Sequence, residues 1–335
     1  MPASSDRQIA VLGGGSWGTA LAIQVARAGH KVVLWDINPE HIKAMKETGS
    51  NEKYLPGIPL PESLQLSDQL EQTLNQADTL LLAIPSHAVR GFLKQNRKWI
   101  RSEQHFVWAT KGLEEGSAKP VHQVVAEELP DCKNTAVVSG PTFAGEVAKD
   151  LPTAVTVAAS SHEIATEVAD FLHYGNFRVY TSEDMLGVEL GGSLKNVLAI
   201  AAGIADGLGF GANTRAALIT RGLNEIMRLG LAMGAQSDTF MGLAGLGDLV
   251  LTCTDNQSRN RRMGLALADG LSIEQAREKI GQAVEGVKTA KEAWQLGQQY
   301  KVEMPIIEQT YSVLYEGKSP RDAVHDLLGR QAKTE

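Results

Sequence analysis

The segment Gly13-Gly14-Gly15-Ser16-Trp17-Gly18 constrains this chain more than any other, because of what stands on either side of it. Ile9-Ala10-Val11-Leu12 is a continuous apolar run, and Trp17 to Ala28 carries helical periodicity. A GxGxxG turn between a buried strand and a helix lets an anion come close to the backbone. Gly13 permits the tight turn, Gly15 admits a pyrophosphate, and Gly18 allows close packing of helix on strand. The free N–H groups and positive dipole end of the helix then attract the anion. The competing reading is a glycine turn without a ligand, and the agreement of strand, helix and position weighs against it.

The pattern continues as alternating strands and helices. Lys31 to Trp35, Thr79 to Ile84, His105 to Ala109, Thr135 to Val138 and Thr153 to Ala158 read as buried strands. Asn38-Pro39-Glu40 reads as a helix cap followed by proline at the first helical position. Continuous apolar strands separated by helices predict a parallel sheet covered on both faces. Beyond about Thr181 the strand pattern stops. Ser182 to Arg228 reads as long helices broken by glycine clusters, with further helices at Glu274 to Lys279, Gly286 to Tyr300 and Ile306 to Tyr315. The fold class expected is therefore α/β: an N-terminal Rossmann-type doubly wound sheet, residues 1–185, plus an all-α C-terminal domain, residues 186–335, joined without a Pro/Ser linker.

Composition excludes several classes. A formal net charge of −7 shows no basic footprint for nucleic acid. Two distant cysteines, Cys132 and Cys253, exclude a disulfide framework or a Cys-based zinc cluster. The eight histidines form no HExxH pair, and no metal is expected. The first residues carry no signal-peptide core, and the strongest apolar run, Val197 to Ala205, falls short of the roughly 20 residues that span a bilayer. The expected location is the cytoplasm, with no integral membrane segment.

Several polar residues stand where chemistry could occur. Asp36 ends the second strand, 18 residues after Gly18, where an acid can bind ribose hydroxyls or merely serve a loop. Lys111 follows a buried strand, a position shared by site lysines and surface lysines. Lys195 sits in a helix of small apolar residues, where an amine is costly without a partner or a task. Burial and a neighbouring cation would lower its pKa and suit it to proton transfer. Asp248 precedes a polar turn, Ser258-Arg259-Asn260, whose guanidinium could grip a phosphate. Arg261 and Arg262 read instead as solvated. Thr142, in a Gly-Pro turn, either closes over a ligand or caps a helix.

Together these motifs resemble the bacterial NAD(P)-dependent glycerol-3-phosphate dehydrogenases over nearly the whole chain. GGGSWGTALA, SGPTFAGEVAKDLPTAV, GGSLKNVLAIAAGIADGLGFGANTRAALITRGLNE, GLAGLGDLVLTCTDNQSRNRRMG and VEGVKTA carry the resemblance. It implies hydride transfer between dihydroxyacetone phosphate and sn-glycerol 3-phosphate, feeding phospholipid synthesis. It makes Lys195 the proton donor and acceptor, with Lys111 and Asp248 beside it in catalysis. It surrounds the substrate with Lys111, Gly140, Thr142, Lys195, Asn196, Asp248, Thr252, Ser258, Arg259 and Asn260. It assigns the cofactor to Gly13, Gly15, Ser16, Trp17, Gly18, Asp36, Lys111, Ala144, Arg259, Ala283 and Glu285. Relatives often carry a basic residue where this chain has Asp36-Ile37-Asn38, so either NAD(H) or NADP(H) is expected, with NAD slightly favoured. The expected assembly is a homodimer. Two rivals stay open: a two-domain dehydrogenase of β-hydroxy acids, and a nucleotide-sensing regulator without catalysis.

Overall fold

A computed structural model describes residues 7–330. The chain divides into two units. The first runs up to Lys111 and resumes over Val121–Val188; the second takes Gly112–Pro120 and everything from Glu189.

The first unit is built on an eight-stranded sheet of β1 (Gln8–Leu12), β2 (Lys31–Trp35), β5 (Leu64–Ser67), β6 (Thr79–Leu82), β7 (His105–Trp108), β8 (Thr135–Ser139), β9 (Thr153–Ala159) and β10 (Phe177–Ser182). Two short strands, β3 (Ser50–Asn51) and β4 (Leu55–Pro59), pair separately. The spatial order is β10-β9-β8-β7-β6-β1-β2-β5. From β1 the chain first winds outward through β2 to β5, then returns to β6 on the other side. Strand order therefore reverses between β1 and β6, and ligands of such sheets bind beyond the carboxyl ends at that point. Ile9, Val11, Leu34, Leu81, Val107 and Val138 are wholly or almost wholly buried, which is why these strands read as unbroken apolar runs.

The all-parallel expectation needs one correction, since β8 and β9 are antiparallel. The only helix between them, Ala144–Ala148, has five residues. At 1.5 Å per residue it rises about 7 Å, too little to carry the chain back along a strand of roughly 17 Å. The chain reverses instead, and β10 rejoins β9 in parallel after the helix His162–Leu172.

Among the described residues the second unit is helical. Its centre is Met185–Gly207, buried without interruption from Gly187 to Ala205. This helix has the length and hydropathy to cross a membrane, yet its whole apolar window lies inside the protein. Of the glycine clusters expected to break the helices of this stretch, Gly191-Gly192 lies inside one and leaves it unbroken. A side chain at Gly191 would meet the Ala244 carbonyl oxygen at 2.5 Å, so that glycine serves close packing rather than helix termination. The break comes later, before the helix Ala212–Met233.

Candidate functional site

In the first unit the glycine turn is fixed by main-chain contacts at Gly13 and Gly18 and by two side chains, Asp36 and Asn51, at Gly14. Gly13 adopts φ +118°, and a Cβ there would lie 2.7 Å from the Ala83 carbonyl oxygen. Its N–H donates to the Trp35 carbonyl at 2.8 Å. A Cβ on Gly18 would run into the Gly13 carbonyl. Gly15 differs from both. Its φ is −72°, and no protein atom lies within 4 Å of where its Cβ would stand. Neither backbone strain nor packing explains the absence of a side chain there. Open space at the N-terminus of the helix Ser16–Arg27 fits an approaching pyrophosphate.

Asp36 is the clamp of this turn. One carboxylate oxygen accepts from Gly14 N–H at 2.8 Å, the other from Asn38 N–H at 2.9 Å. His41 Nδ1 lies 3.7 Å away. Asn38 caps the next helix, accepting from the N–H groups of Glu40 and His41, with Pro39 behind it as expected. Asn51 was not foreseen. Its buried amide donates to the Gly14 carbonyl and to Thr19 Oγ1, at 2.9 and 2.7 Å. Ser16 Oγ donates to the Tyr54 carbonyl at 2.7 Å, and the half-buried Trp17 keeps an indole N–H with no hydrogen-bond partner.

Lys111 follows β7 and turns towards the end of β8. Its Nζ donates to the Gly140 carbonyl at 2.8 Å and to Thr142 Oγ1 at 3.3 Å, and stands 6.0 Å from the centre of the Trp17 ring. Gly140 has φ +147°, and a Cβ there would press on the Val155 backbone at 2.9 Å. Thr142 does not cap the helix that begins at Ala144. Phe143 holds the cap position, and Thr142 Oγ1 donates back to the Gly140 carbonyl at 3.1 Å.

The second unit holds a buried acid–base group. Lys195 is 6% exposed and Asp248 not at all. The Lys195 amine donates to Asp248 Oδ1 and, at 2.8 Å, to Thr252 Oγ1. Thr252 Oγ1 in turn donates to the Asp248 carbonyl at 2.6 Å. Asp248 is the first residue of the α-helix Asp248–Thr254. A five-residue π-helical segment, Leu243–Gly247, runs directly into it. Cys253 is fully buried beside this group, and burial pushes its thiol up to about 12, leaving it inert.

The Ser258-Arg259-Asn260 turn opens the helix Arg259–Ala268. Ser258 caps it, accepting from Arg261 N–H at 3.2 Å. The Asn260 amide donates to Asn196 Oδ1 at 2.8 Å and its carbonyl accepts from Gly286 N–H at 2.9 Å, all buried. Arg259 is only partly exposed. Burial and Arg262 lower its pKa, while Glu285, first residue of the helix Glu285–Tyr300, raises it. Ala283 is exposed in the preceding turn. Arg261 corrects the solvated reading: it is buried and donates to Asp206 Oδ2 at 2.6 Å.

A family model described as the NAD-dependent glycerol-3-phosphate dehydrogenase N-terminus matches residues 8–165, and its C-terminal counterpart matches residues 184–325. The chain is 54% identical to a glycerol-3-phosphate dehydrogenase (NAD(P)+) of Thioalkalivibrio sulfidiphilus over 331 residues, 99% of each chain. It is 52% identical to the same enzyme of Pectobacterium carotovorum, over 99% of this chain and 98% of that one. The crystal structure of glycerol-3-phosphate dehydrogenase from Coxiella burnetii, 46% identical, matches with a TM-score of 0.93 over 97% of this chain and 99% of that one.

Proposed function

The chain belongs to the NAD-dependent glycerol-3-phosphate dehydrogenase family, and from that premise we propose the part each residue plays. The protein is an NAD(P)-dependent oxidoreductase that interconverts dihydroxyacetone phosphate and sn-glycerol 3-phosphate. When bound, the nicotinamide cofactor supplies or takes up the hydride. Gly13, Gly15 and Gly18 with the N–H groups that open the helix Ser16–Arg27 would hold its pyrophosphate, and the free space over Gly15 supports this. Ser16, Trp17, Asp36, Lys111, Ala144, Arg259, Ala283 and Glu285 complete the proposed cofactor contacts.

The observation that carries the catalytic reading is the buried Lys195 amine held by Asp248 and Thr252. As the ketone is reduced, negative charge grows on its oxygen. A protonated Lys195 stabilises that charge and passes its proton to the oxygen. In the reverse direction the neutral amine takes the hydroxyl proton. Asp248 orients the amine and offsets its charge. Thr252, with its proton committed to the Asp248 carbonyl, presents a lone pair to the amine. Arg259, with Ser258 and Asn260, would hold the phosphate. Lys111, Gly140, Thr142 and Asn196 are the remaining proposed substrate contacts, with Lys111 adding positive charge. The test is oxidation of NADH or NADPH with dihydroxyacetone phosphate; inactivity with both cofactors overturns the reading.

Asp36 supports a preference for NAD. Its carboxylate already closes the glycine turn, and a 2′-phosphate beside it would meet like charge, a repulsion of about 1 kcal/mol at 4 Å in water. Comparing kcat/KM for NADH and NADPH, in wild type and Asp36→Arg, decides this. A wild type that prefers NADPH tenfold would refute it. A cytoplasmic supply of glycerol 3-phosphate to phospholipid synthesis is the role that fits the reaction. The homodimer expected of the chain finds support in exposed Leu231, Met241 and Leu328 on the second unit, and sedimentation would test it.

A further inference from the structure

Arg261 has no part in the reaction as described, yet it is the most deeply buried of the three arginines in its turn. Its side chain is 9% exposed and reaches Asp206 at 2.6 Å. Asp206 also takes Arg215, a more exposed partner, at 2.7 Å. Arg261 Nε and Nη1 find no hydrogen-bond partner. A buried ion pair this incompletely satisfied is a poor source of stability, since apolar residues of similar volume often do as well or better. What such a pair supplies is a fixed relation between the elements it joins.

The elements joined here are the two that would meet the two ends of the substrate. Asp206 lies on the Met185–Gly207 helix, which carries Lys195. Arg261 lies on the helix opened by Ser258, Arg259 and Asn260. A second tie joins the same two elements: Asn260 to Asn196, at 2.8 Å, with Gly286 N–H closing the far side at 2.9 Å. Asn196 and Asp206 are ten residues apart on one helix, about 15 Å along its axis. Between the ties the backbones touch. A Cβ on Gly203 would run into the Arg261 carbonyl, and one on Gly264 into the Ile200 carbonyl. One tie and a glycine contact would leave a pivot. The two ties start from neighbouring residues, Asn260 and Arg261, and splay to points about 15 Å apart on the other helix, one on each side of the backbone contact, so they oppose its tilt.

We propose that Arg261, through Asp206, is a positioning residue that sets the span between the phosphate-gripping Arg259 and the Lys195 amine, and thereby selects substrates by the number of atoms between phosphate and carbonyl. The proposal rests on the functional reading of Lys195 and Arg259 given above. Asp206–Arg261 and Asn196–Asn260 act as the two ends of one brace.

The experiment compares three ketones: dihydroxyacetone phosphate, its homologue with one more methylene between carbonyl and phosphate (4-hydroxy-3-oxobutyl phosphate), and unphosphorylated dihydroxyacetone. One methylene is worth about 10- to 200-fold in kcat/KM at a fixed site. Arg261→Met should lower the preference for dihydroxyacetone phosphate over its homologue by about tenfold, against that wild-type range. Activity on dihydroxyacetone should stay within about twofold, because nothing in that substrate spans the brace. Arg261→Lys, which keeps the charge, should recover part of the preference even if the methionine variant folds poorly. Arg215→Ala, which frees Asp206 only from its outer partner, should leave the preference unchanged. An equal loss on all three ketones, or an equal effect of Arg215→Ala, makes the pair merely structural and overturns the proposal. Unchanged preference in folded Arg261→Met and Arg261→Lys overturns it too. A wild type inactive on dihydroxyacetone phosphate overturns the functional reading instead, so the two failures are distinct.

Discussion

The glycine turn of the first unit and the Lys195 group of the second are made of opposite materials. The turn offers main chain to its ligand and is held by main chain at Gly13 on Trp35 and Gly18 over Gly13, with the Asp36 carboxylate and the Asn51 amide fastening Gly14. The Lys195 group is side chain held by side chain, with partners 53 and 57 residues away in sequence. The first binds through groups that every residue possesses, so its demands fall on where side chains are absent. The second works through one amine whose charge is tolerable only because a buried carboxylate and a hydroxyl meet it. A backbone site should be sensitive to added atoms, and a charge site to removed ones.

The largest effect should come from removing the amine. Lys195→Met keeps the stem of the side chain and loses the proton, so kcat should fall about 10²- to 10⁴-fold with cofactor affinity unchanged. A variant keeping more than roughly a tenth of the wild-type kcat would end the assignment. Because Asp248 would be left buried and without its cation, Lys195→Met should also lose stability, by about 3–5 kcal/mol where no water reaches the carboxylate. Thermal unfolding of the same sample measures this.

Adding one carbon tests the other half of the contrast. Gly18→Ala forces a Cβ onto the Gly13 carbonyl and should cost about 1–3 kcal/mol of stability or more, together with cofactor binding. Gly15→Ala meets no protein atom. Its stability should stay within about 0.5 kcal/mol of wild type while NADH affinity falls. Titration of NADH by fluorescence separates the cases. Unchanged NADH affinity in Gly15→Ala would mean that the space above that residue is not where the cofactor lies.

Arg259→Ala belongs to the charge side but should be milder. Charge-assisted hydrogen bonds contribute about 1.5–3 kcal/mol, so KM for dihydroxyacetone phosphate should rise roughly tenfold or more. Unphosphorylated dihydroxyacetone should be far less affected. Equal losses on both substrates would remove the phosphate from Arg259.

The same contrast decides what the sequence made legible. The glycine turn was readable because a backbone site writes its requirements locally, as spacing: Gly13, Gly15 and Gly18 after an apolar run. Lys195 stood out because an amine in a small-residue helix is anomalous on its own. Its partnership with Asp248 and Thr252 came only through a family resemblance, since no local pattern reports a bond across 53 residues. Asn51 left no signal, being a loop asparagine until the fold brings it under Gly14. Arg261 was misread because a run of arginines looks solvated until Asp206 is placed beside one of them. The edge strand β5, Leu64–Ser67, has four residues, too few to show a period. Which glycine cluster breaks a helix was not legible, because a glycine that ends a helix and one, like Gly191, that lets another backbone touch it look alike in sequence.

Glu225 supplies the smallest and most discriminating test, because it is a buried carboxylate in the second unit that lacks a lysine. It is 2% exposed and accepts from the Ile306 and Ile307 N–H groups at 2.9 to 3.2 Å, satisfying the start of the helix Pro305–Tyr315. Burial raises its pKa to about 7 against the pull of those N–H groups, Arg228 and Arg330. A raised folded-state pKa means that folding favours the protonated acid. That stabilisation is complete below the unfolded value of 4.5 and is lost as pH climbs through 7. Glu225→Gln keeps an acceptor for the helix and removes the titration. Its Tm should therefore exceed wild type at pH 8, by about 2–4 °C for each kcal/mol recovered, and match it near pH 4.5, with kcat unchanged at either pH. Glu292, also raised to about 7 by burial, adds a fall of the same sign to both proteins and cancels in the difference. If Glu225→Gln is instead less stable at pH 8 than at pH 4.5, relative to wild type, the ionised carboxylate is what the helix start prefers. A buried acid in this unit would then need no lysine to stay charged, and the contrast between Asp248 and Glu225 would dissolve.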